Sequence, residues 1–446
     1  MNNFSRERFK TGEEYSRALF FLSPFILLFS ISLFQVLNLT LFQGDKYQTI
    51  AESNRIYQKP ISPVRGFIYD RNGTLLAENI VQRDLYVTPA YIEDSAETIL
   101  KLSNLLDVPY ELLDENFSRG VKKVKKFDSF PLVKALNEEQ IAKAKVNLDS
   151  ISGIEVKATL KRYVLHEETL AHVLGYVGDI SSDDIRRDKL LAELQNTQIG
   201  KTGIEKEFDY VLRGKPGIQT QERDVKGKLV RILDTQGAED GKDIYLTIDQ
   251  KLQDHLFKLF ENRRGALVAL EPKTGLVRAL ISSPSFNPNI LNSIVDTDEV
   301  ESLFSNKESP IFNRAISGQY PPASTLKPFV GLAAIENEVI SWDKKIKDDG
   351  EFYVEGDPRP YRGWKENGHG RVDMRKAIAE SSDVYFYTIA FDLTLAGIRP
   401  MLDSFGFGKK TGLTDFEANG LLPDKKWKLG YKGDFWFKGD TINLGI

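Results

Sequence analysis

At 446 residues the chain is too long for one hydrophobic core and should divide into two or three folded units. Its formal net charge of −4 argues against a nucleic-acid binder. The lack of any cysteine excludes disulfides, a thiol nucleophile and a thiolate metal site.

The first predicted element is apolar. Residues 18–42 read ALFFLSPFILLFSISLFQVLNLTLF without a charge, and Arg6, Arg8, Lys10 and Arg17 precede them. A helix of about 24 residues reaches ~36 Å, enough to cross a ~30 Å hydrocarbon core with some tilt. The preceding basic residues place the short tail in the cytoplasm and the rest of the chain beyond the membrane. A cleaved signal peptide would have a shorter apolar run ending in small residues, whereas this one ends Leu39-Thr40-Leu41-Phe42. Pro24 is expected within the first turns of the helix, where a missing N–H costs least.

Val64 to Gly73 reads as a strand running into an Asn-Gly turn, with a second strand from Thr74. Asp94 with Glu97 caps a helix through about Leu106, and Asn137 with Gln140 caps another through about Val146. The five basic residues between Arg119 and Lys126 read as a solvated face. A turn at 214–217 leads into polar strand-like sequence to Arg231, and the Gly-, Asp- and Glu-rich stretch 234–242 reads as a boundary. Beyond it come a strand over 243–248, a helix from Asp249 to about Asn262, and a hairpin of 265–270 with 275–281. This order suggests helices packed on an antiparallel sheet.

The segment Tyr320-Pro321-Pro322-Ala323-Ser324-Thr325-Leu326-Lys327-Pro328 bears the chemistry. Pro328 has no N–H, so a helix here must begin at about Ala323 or Ser324. That places Ser324 at the helix start and Lys327 three residues on, on the same face. The helix dipole there favours an alkoxide and disfavours an ammonium. A neutral lysine beside a serine is one way to activate a nucleophile without histidine. The histidines, His166, His172, His255 and His369, come with no G-x-S-x-G that would support a Ser-His-Asp reading. S-x-x-K alone recurs by chance as a capping serine and a surface lysine. Here it is followed by Ser381-Ser382-Asp383, an S-x-D at the head of an apolar stretch.

Together with Arg65-Gly66, Asp70-Arg71-Asn72-Gly73, the run Gly200 to Glu205, Trp364 through His369-Gly370, and Gly439-Asp440-Thr441, these motifs resemble the class B penicillin-binding proteins. Within that class they resemble the elongation-type penicillin-binding protein 2, or MrdA, family over essentially the whole chain. The resemblance implies an α+β fold with a cytoplasmic tail (1–17), a single transmembrane anchor (18–42), an elongated mixed pedestal or dimerisation module (43–240) and the N-terminal part of a serine β-lactamase-like transpeptidase domain (241–446). It implies a peptidoglycan D,D-transpeptidase of lateral wall synthesis and cell shape, held in the bacterial inner membrane with its bulk in the periplasm. Ser324 would be acylated by a stem peptide or a β-lactam. Lys327 would take its proton, Ser381 would relay protons, and Asp383 would hold Lys327 and the substrate. A RodA-type glycan polymerase and an MreC-type scaffold are the implied partners, and no cofactor is expected.

The sequence departs from the family pattern in two places. The third family motif, K-[ST]-G, has no credible match. Lys201-Thr202-Gly203 precedes the nucleophile, and Lys410-Thr411-Gly412 lies in a glycine-rich turn soon after Asp383. The sequence is therefore expected to stop short of the full domain, and the isolated chain to aggregate through uncovered sheet edges. Some relatives have a proposed zinc site near this helix. His369 and Asp348 or Asp349 match it, but Gly363 and Ser382 stand at the other two positions, so no metal is expected. The missing motif keeps a non-catalytic penicillin-recognising scaffold, or an inactive fragment, as the alternative. A carboxypeptidase or β-lactamase fits the anchor and the large N-terminal module less well.

Overall fold

A computed structural model of the protein describes residues 4–39, 43, 55–122, 124, 126–147, 151–189, 191, 194, 198–224, 229–261, 263–292 and 297–446. The first helix, α1 (Phe4–Leu37), begins well before the apolar run, so Pro24 falls inside it rather than in its first turns. The missing Pro24 N–H would have served the Phe20 carbonyl four residues back. The Ser23 hydroxyl donates to that carbonyl instead, at 2.9 Å. Within α1, Phe20–Leu37 is long and apolar enough to cross a membrane, and among the described residues none packs over it. The far end of the predicted anchor, 40–42, lies outside the described residues.

Among the described residues the first module opens with five strands. These are β1 (Ile56–Ile61), β2 (Ile68–Tyr69), β3 (Leu75–Val87), β4 (Phe130–Val133) and β5 (Ile154–Val164), of which β3 and β5 are the long ones. β5 pairs antiparallel with β3 from Ala77 to Val87, while β2 and β4 share the opposite edge of β3. Helices α2 (Ser95–Leu106), α3 (Tyr110–Val121) and α4 (Glu138–Asn147) cover one end through Ile99, Leu102, Leu106, Leu113 and Ile141. Both predicted caps form. Asp94 accepts from Glu97 N–H, and Asn137 and Gln140 exchange side-chain and backbone bonds at 2.8 and 3.0 Å. In the basic run, Arg119 is exposed on α3 and pairs with Glu115, while Lys123 and Lys125 are outside the described residues.

Two strand predictions change in the structure. The sequence from 217 to 236 forms two antiparallel strands, β6 (Gly217–Arg223) and β7 (Leu229–Gln236), rather than one. β1 completes that three-stranded sheet. The strand expected over 243–248 shortens to β8 (Ile244–Tyr245), which pairs in parallel with β2. Past Tyr245 the chain makes one more bond to β2, Leu246 N–H to Tyr69 O, and then turns toward 277–278, where the Thr247 hydroxyl and Asp249 N–H donate to Val277 O and Arg278 O.

The two modules share one apolar core, in which Ile68, Leu76, Val164 and, on α5 (Glu167–Leu174), Leu170 meet Ile248, Val277 and Leu280. Asp70 fastens the same junction. It is 1% exposed, and its carboxylate accepts from Asn72 N–H (2.7 Å), Thr74 N–H (2.8 Å) and Gln250 N–H (3.2 Å). Burial pushes its pKa up, but the backbone donors of Thr74, Gln250 and Asn72 outweigh that and hold it below the usual carboxylate range. Its contribution to stability is therefore present above the ordinary carboxylate pKa and is lost as pH falls through the depressed folded value. Asp70→Asn should cost about 1–3 kcal/mol, because the amide's NH2 turns toward backbone donors. Denaturant unfolding of the full chain checks this, and an unchanged midpoint would contradict it.

Gln250 opens α6 (Gln250–Leu259), capped by Asp249. The helix lies on the hairpin of β9 (Gly265–Leu270) and β10 (Val277–Ser283). Gln253 ties it there by accepting from Leu280 N–H and donating to Leu280 O.

Helix α7 (Lys327–Glu336) and the long α8 (Asp383–Ser404) pack side by side through Val330, Ala333, Ala334, Tyr385, Phe386 and Ile389. Small residues on α7 let the two helices approach closely. Their N-termini come together at one end of this shared core, and the site lies there.

Candidate active site

Ala323–Leu326 form a 3-10 turn that leads into α7. Helical backbone starts where the sequence predicts, but its first turn is tighter. An α-helix would need the Pro328 N–H to reach the Ser324 carbonyl, and Lys327 N–H makes that bond one residue earlier. Ala323 just before the nucleophile has φ 50°, a left-handed backbone that non-glycine residues rarely adopt. Ser324 is exposed and Lys327 is 1% exposed, so one end of this turn faces solvent and the other the core.

The second half of the site comes from the turn before α8. Ser382 caps that helix by accepting from Tyr385 N–H, and its own N–H bonds Ala377 O. Those bonds fix Ser381, which also has a left-handed φ of 53°. Lys327 Nζ donates to Ser381 Oγ (3.0 Å), Ser381 O (3.0 Å) and Asp383 Oδ1 (2.6 Å). Ser381 Oγ in turn donates to Ser324 Oγ at 2.9 Å. All four residues singled out from the sequence, Ser324, Lys327, Ser381 and Asp383, thus meet in one continuous network. The link from Lys327 to Ser324 passes through Ser381. A lysine joined to a solvent-facing serine hydroxyl in this way can support nucleophilic acyl transfer.

Trp364, to which the sequence assigned no role, completes the network. Its backbone N–H donates to Asp383 Oδ2 and its indole N–H to Ser381 O, both at 3.0 Å. The glycine-rich run around it was the available signal. Gly350 and Gly368 both have positive φ, and a Cβ on either would come within 2.1 Å of a facing carbonyl, so only glycine lets these two loops nest. Burial and the nearby Asp383 push the Tyr387 phenol up to about 12, which keeps it a donor toward Arg362 O.

The Lys-Thr-Gly segments lie elsewhere. Lys201 pairs with Asp184 at 2.5 Å, while Lys410 and Thr411 bond within the 410–417 loop. The residues do not fit a closed zinc site. Gly363 offers no donor atom, and the Ser382 hydroxyl is engaged with Asp348 and with Tyr385 N–H.

The penicillin-binding protein dimerisation domain matches residues 60–246, and the penicillin-binding protein transpeptidase domain matches 265–446. The peptidoglycan D,D-transpeptidase MrdA of Escherichia coli K12 is 35% identical over 96% of this chain and 69% of its own length. The chain belongs to the MrdA family of penicillin-binding proteins. The MrdA protein of Acinetobacter baumannii is 37% identical over 92% of the chain, which spans 61% of that relative's length. Among solved structures, the complex of penicillin-binding protein PBP2 with MreC from Helicobacter pylori has a TM-score of 0.78 at 29% identity, covering 88% of this chain and 73% of that one. The α+β architecture expected from the family resemblance is the one observed. The first family domain ends just after β8, the second opens on β9, and the whole Ser324 network falls in the second.

Proposed function

We propose that this chain performs the acyl-transfer chemistry of a membrane-anchored peptidoglycan D,D-transpeptidase, with Ser324 as nucleophile. The hydrogen-bonded path from Lys327 Nζ through Ser381 Oγ to Ser324 Oγ supports this reading. Lys327 in its amine form receives the Ser324 proton by way of Ser381 as Ser324 Oγ attacks the carbonyl of a D-Ala–D-Ala stem peptide. The Ser324 backbone N–H faces the developing oxyanion. When the tetrahedral centre collapses, the proton returns through Ser381 to the departing D-alanine amine. The amine of a neighbouring stem peptide then attacks the acyl-enzyme, which forms the crosslink and frees Ser324. A β-lactam follows the same first step, but its leaving nitrogen stays tethered. Asp383 holds Lys327 toward Ser381 throughout.

The anchor within α1 would hold the chain in the cytoplasmic membrane with both modules on the outer side, meeting at about residue 240. An MreC-type scaffold on the first module, and a RodA-type polymerase beside the anchor, complete the proposal. The first rests on the Helicobacter pylori complex, the second on family analogy.

Incubation of the full-length protein with a fluorescent penicillin should label Ser324, located by mass spectrometry of the acylated peptide, and Ser324→Ala should remove the label. A folded wild-type protein that stays unlabelled, or an alanine variant labelled equally, would refute the proposal.

A further inference from the structure

Beneath the Ser381–Asp383 turn lies a buried polar cluster that the proton path does not use. Asp348 closes β11 (Ile346–Asp348) and is 1% exposed. Its Oδ1 accepts from Gly350 N–H at 2.9 Å. Its Oδ2 accepts from Ser382 Oγ at 2.6 Å and lies 2.7 Å from His369 Nδ1. Burial raises the Asp348 pKa, but the bonds from Ser382, His369 and Gly350 outweigh it and hold the group below the usual range. A carboxylate is acceptor-only, so His369 carries its proton on Nδ1. The His369 ring also meets the Trp364 ring edge-on, with centroids 5.4 Å apart. Trp364 in turn holds both Ser381 O and Asp383 Oδ2. Two routes therefore run from Asp348 to the reacting groups, one through Ser382 and one through His369 and Trp364.

We propose that Asp348, His369 and Ser382 form a hydrogen-bonded, metal-free brace that positions Ser381 and Asp383 against Lys327 for the acylation of Ser324. The proposal rests on reading Ser324 as the acylated nucleophile. None of the three contacts the reacting atoms, so they are positioning residues. The effect is large because a displacement of about 1 Å in such a network can cost ~100-fold in rate. Ser381 and Asp383 are also adjacent to the one residue, Ser382, whose hydroxyl Asp348 holds. His369 Nε2 is buried without a hydrogen-bond partner, but Asp348 already has a donor on each oxygen and Gly363 has no side-chain ligand, so the cluster does not supply a metal's ligand set.

Two measurements on the full-length protein test the brace. The first is the rate of Ser324 acylation by a fluorescent penicillin, resolved into non-covalent binding and the covalent step. Asp348→Asn should slow the covalent step about 10- to 100-fold with non-covalent binding changed less than threefold. His369→Ala should act in the same direction, and the double variant should be no slower than Asp348→Asn alone, as expected for one unit. Ser382→Ala removes a single oxygen and serves if Asp348→Asn fails to fold. Dipicolinate should leave the wild-type rate unchanged. The second measurement is hydrogen exchange of peptides covering 380–388, which should quicken in each variant while 395–404 stays protected. Additive effects, variants within twofold of wild type, or slowing by the chelator would overturn the brace. If the wild type is not acylated at all, the functional reading fails, and the exchange measurement alone decides the brace.

Discussion

Replacing Lys327 by methionine is expected to slow acylation of Ser324 by about 100- to 10,000-fold, the range for loss of a positioned proton acceptor. Methionine roughly keeps the buried volume of a side chain that is 1% exposed, so the loss reports chemistry rather than a cavity. Lys327→Arg separates charge from proton transfer. Arginine can still face Asp383, now 2.6 Å from Nζ, but it stays protonated at any working pH and cannot accept the Ser324 proton. Both variants should therefore fail in the covalent step. Stopped-flow labelling with melting curves alongside measures this, and an arginine variant acylating within threefold of wild type would reduce Lys327 to a structural charge.

The largest expected effect on stability lies far from the site. Glu205, on the short helix Gly203–Glu207, is 0% exposed and accepts from Arg65 Nε and Arg162 Nε, both at 2.6 Å. Arg65 also pairs with Asp209 at 2.9 Å, and Arg65 O accepts from the Asn79 side chain, so this knot ties the 65–66 segment to β3, β5 and the 203–213 helices. Glu205→Ala leaves two guanidiniums in a buried setting without their shared carboxylate and should cost roughly 3–5 kcal/mol. Replacing Glu205 and Arg162 together with leucine and methionine should recover much of that loss, because the burial penalty disappears with the charges. Equilibrium unfolding of the three proteins tests this. A loss below 1 kcal/mol for the single variant would show that the knot is solvated.

Much of the local structure was legible because its causes are local. The caps at Asp94 and Asn137, the helix start at Asp249, the hairpin of β9 and β10 and the apolar run of α1 each depend on residues within a few positions of one another. The strand at 243–248 was overestimated and the 217–236 hairpin merged into one strand, because strand limits depend on which neighbour supplies hydrogen bonds. Pro24 was placed at a helix start because the polar residues before the anchor gave no sign that the helix had already begun at Phe4.

The sequence by itself determined the reactive residue types and their spacing. Pro328 dictates where helical backbone can begin, and so places Ser324 at its start and Lys327 beside it. What only the tertiary structure decided is how those residues connect. Ser381 stands 57 positions from Ser324, and packing of α7 against α8 brings its hydroxyl to 2.9 Å. That contact routes Lys327 to Ser324 through Ser381. The same packing brings in Trp364, Asp348 and His369, which no spacing rule marks. Their roles arise from contacts between distant loops, and those contacts are fixed by burial of the core rather than by neighbours in the chain.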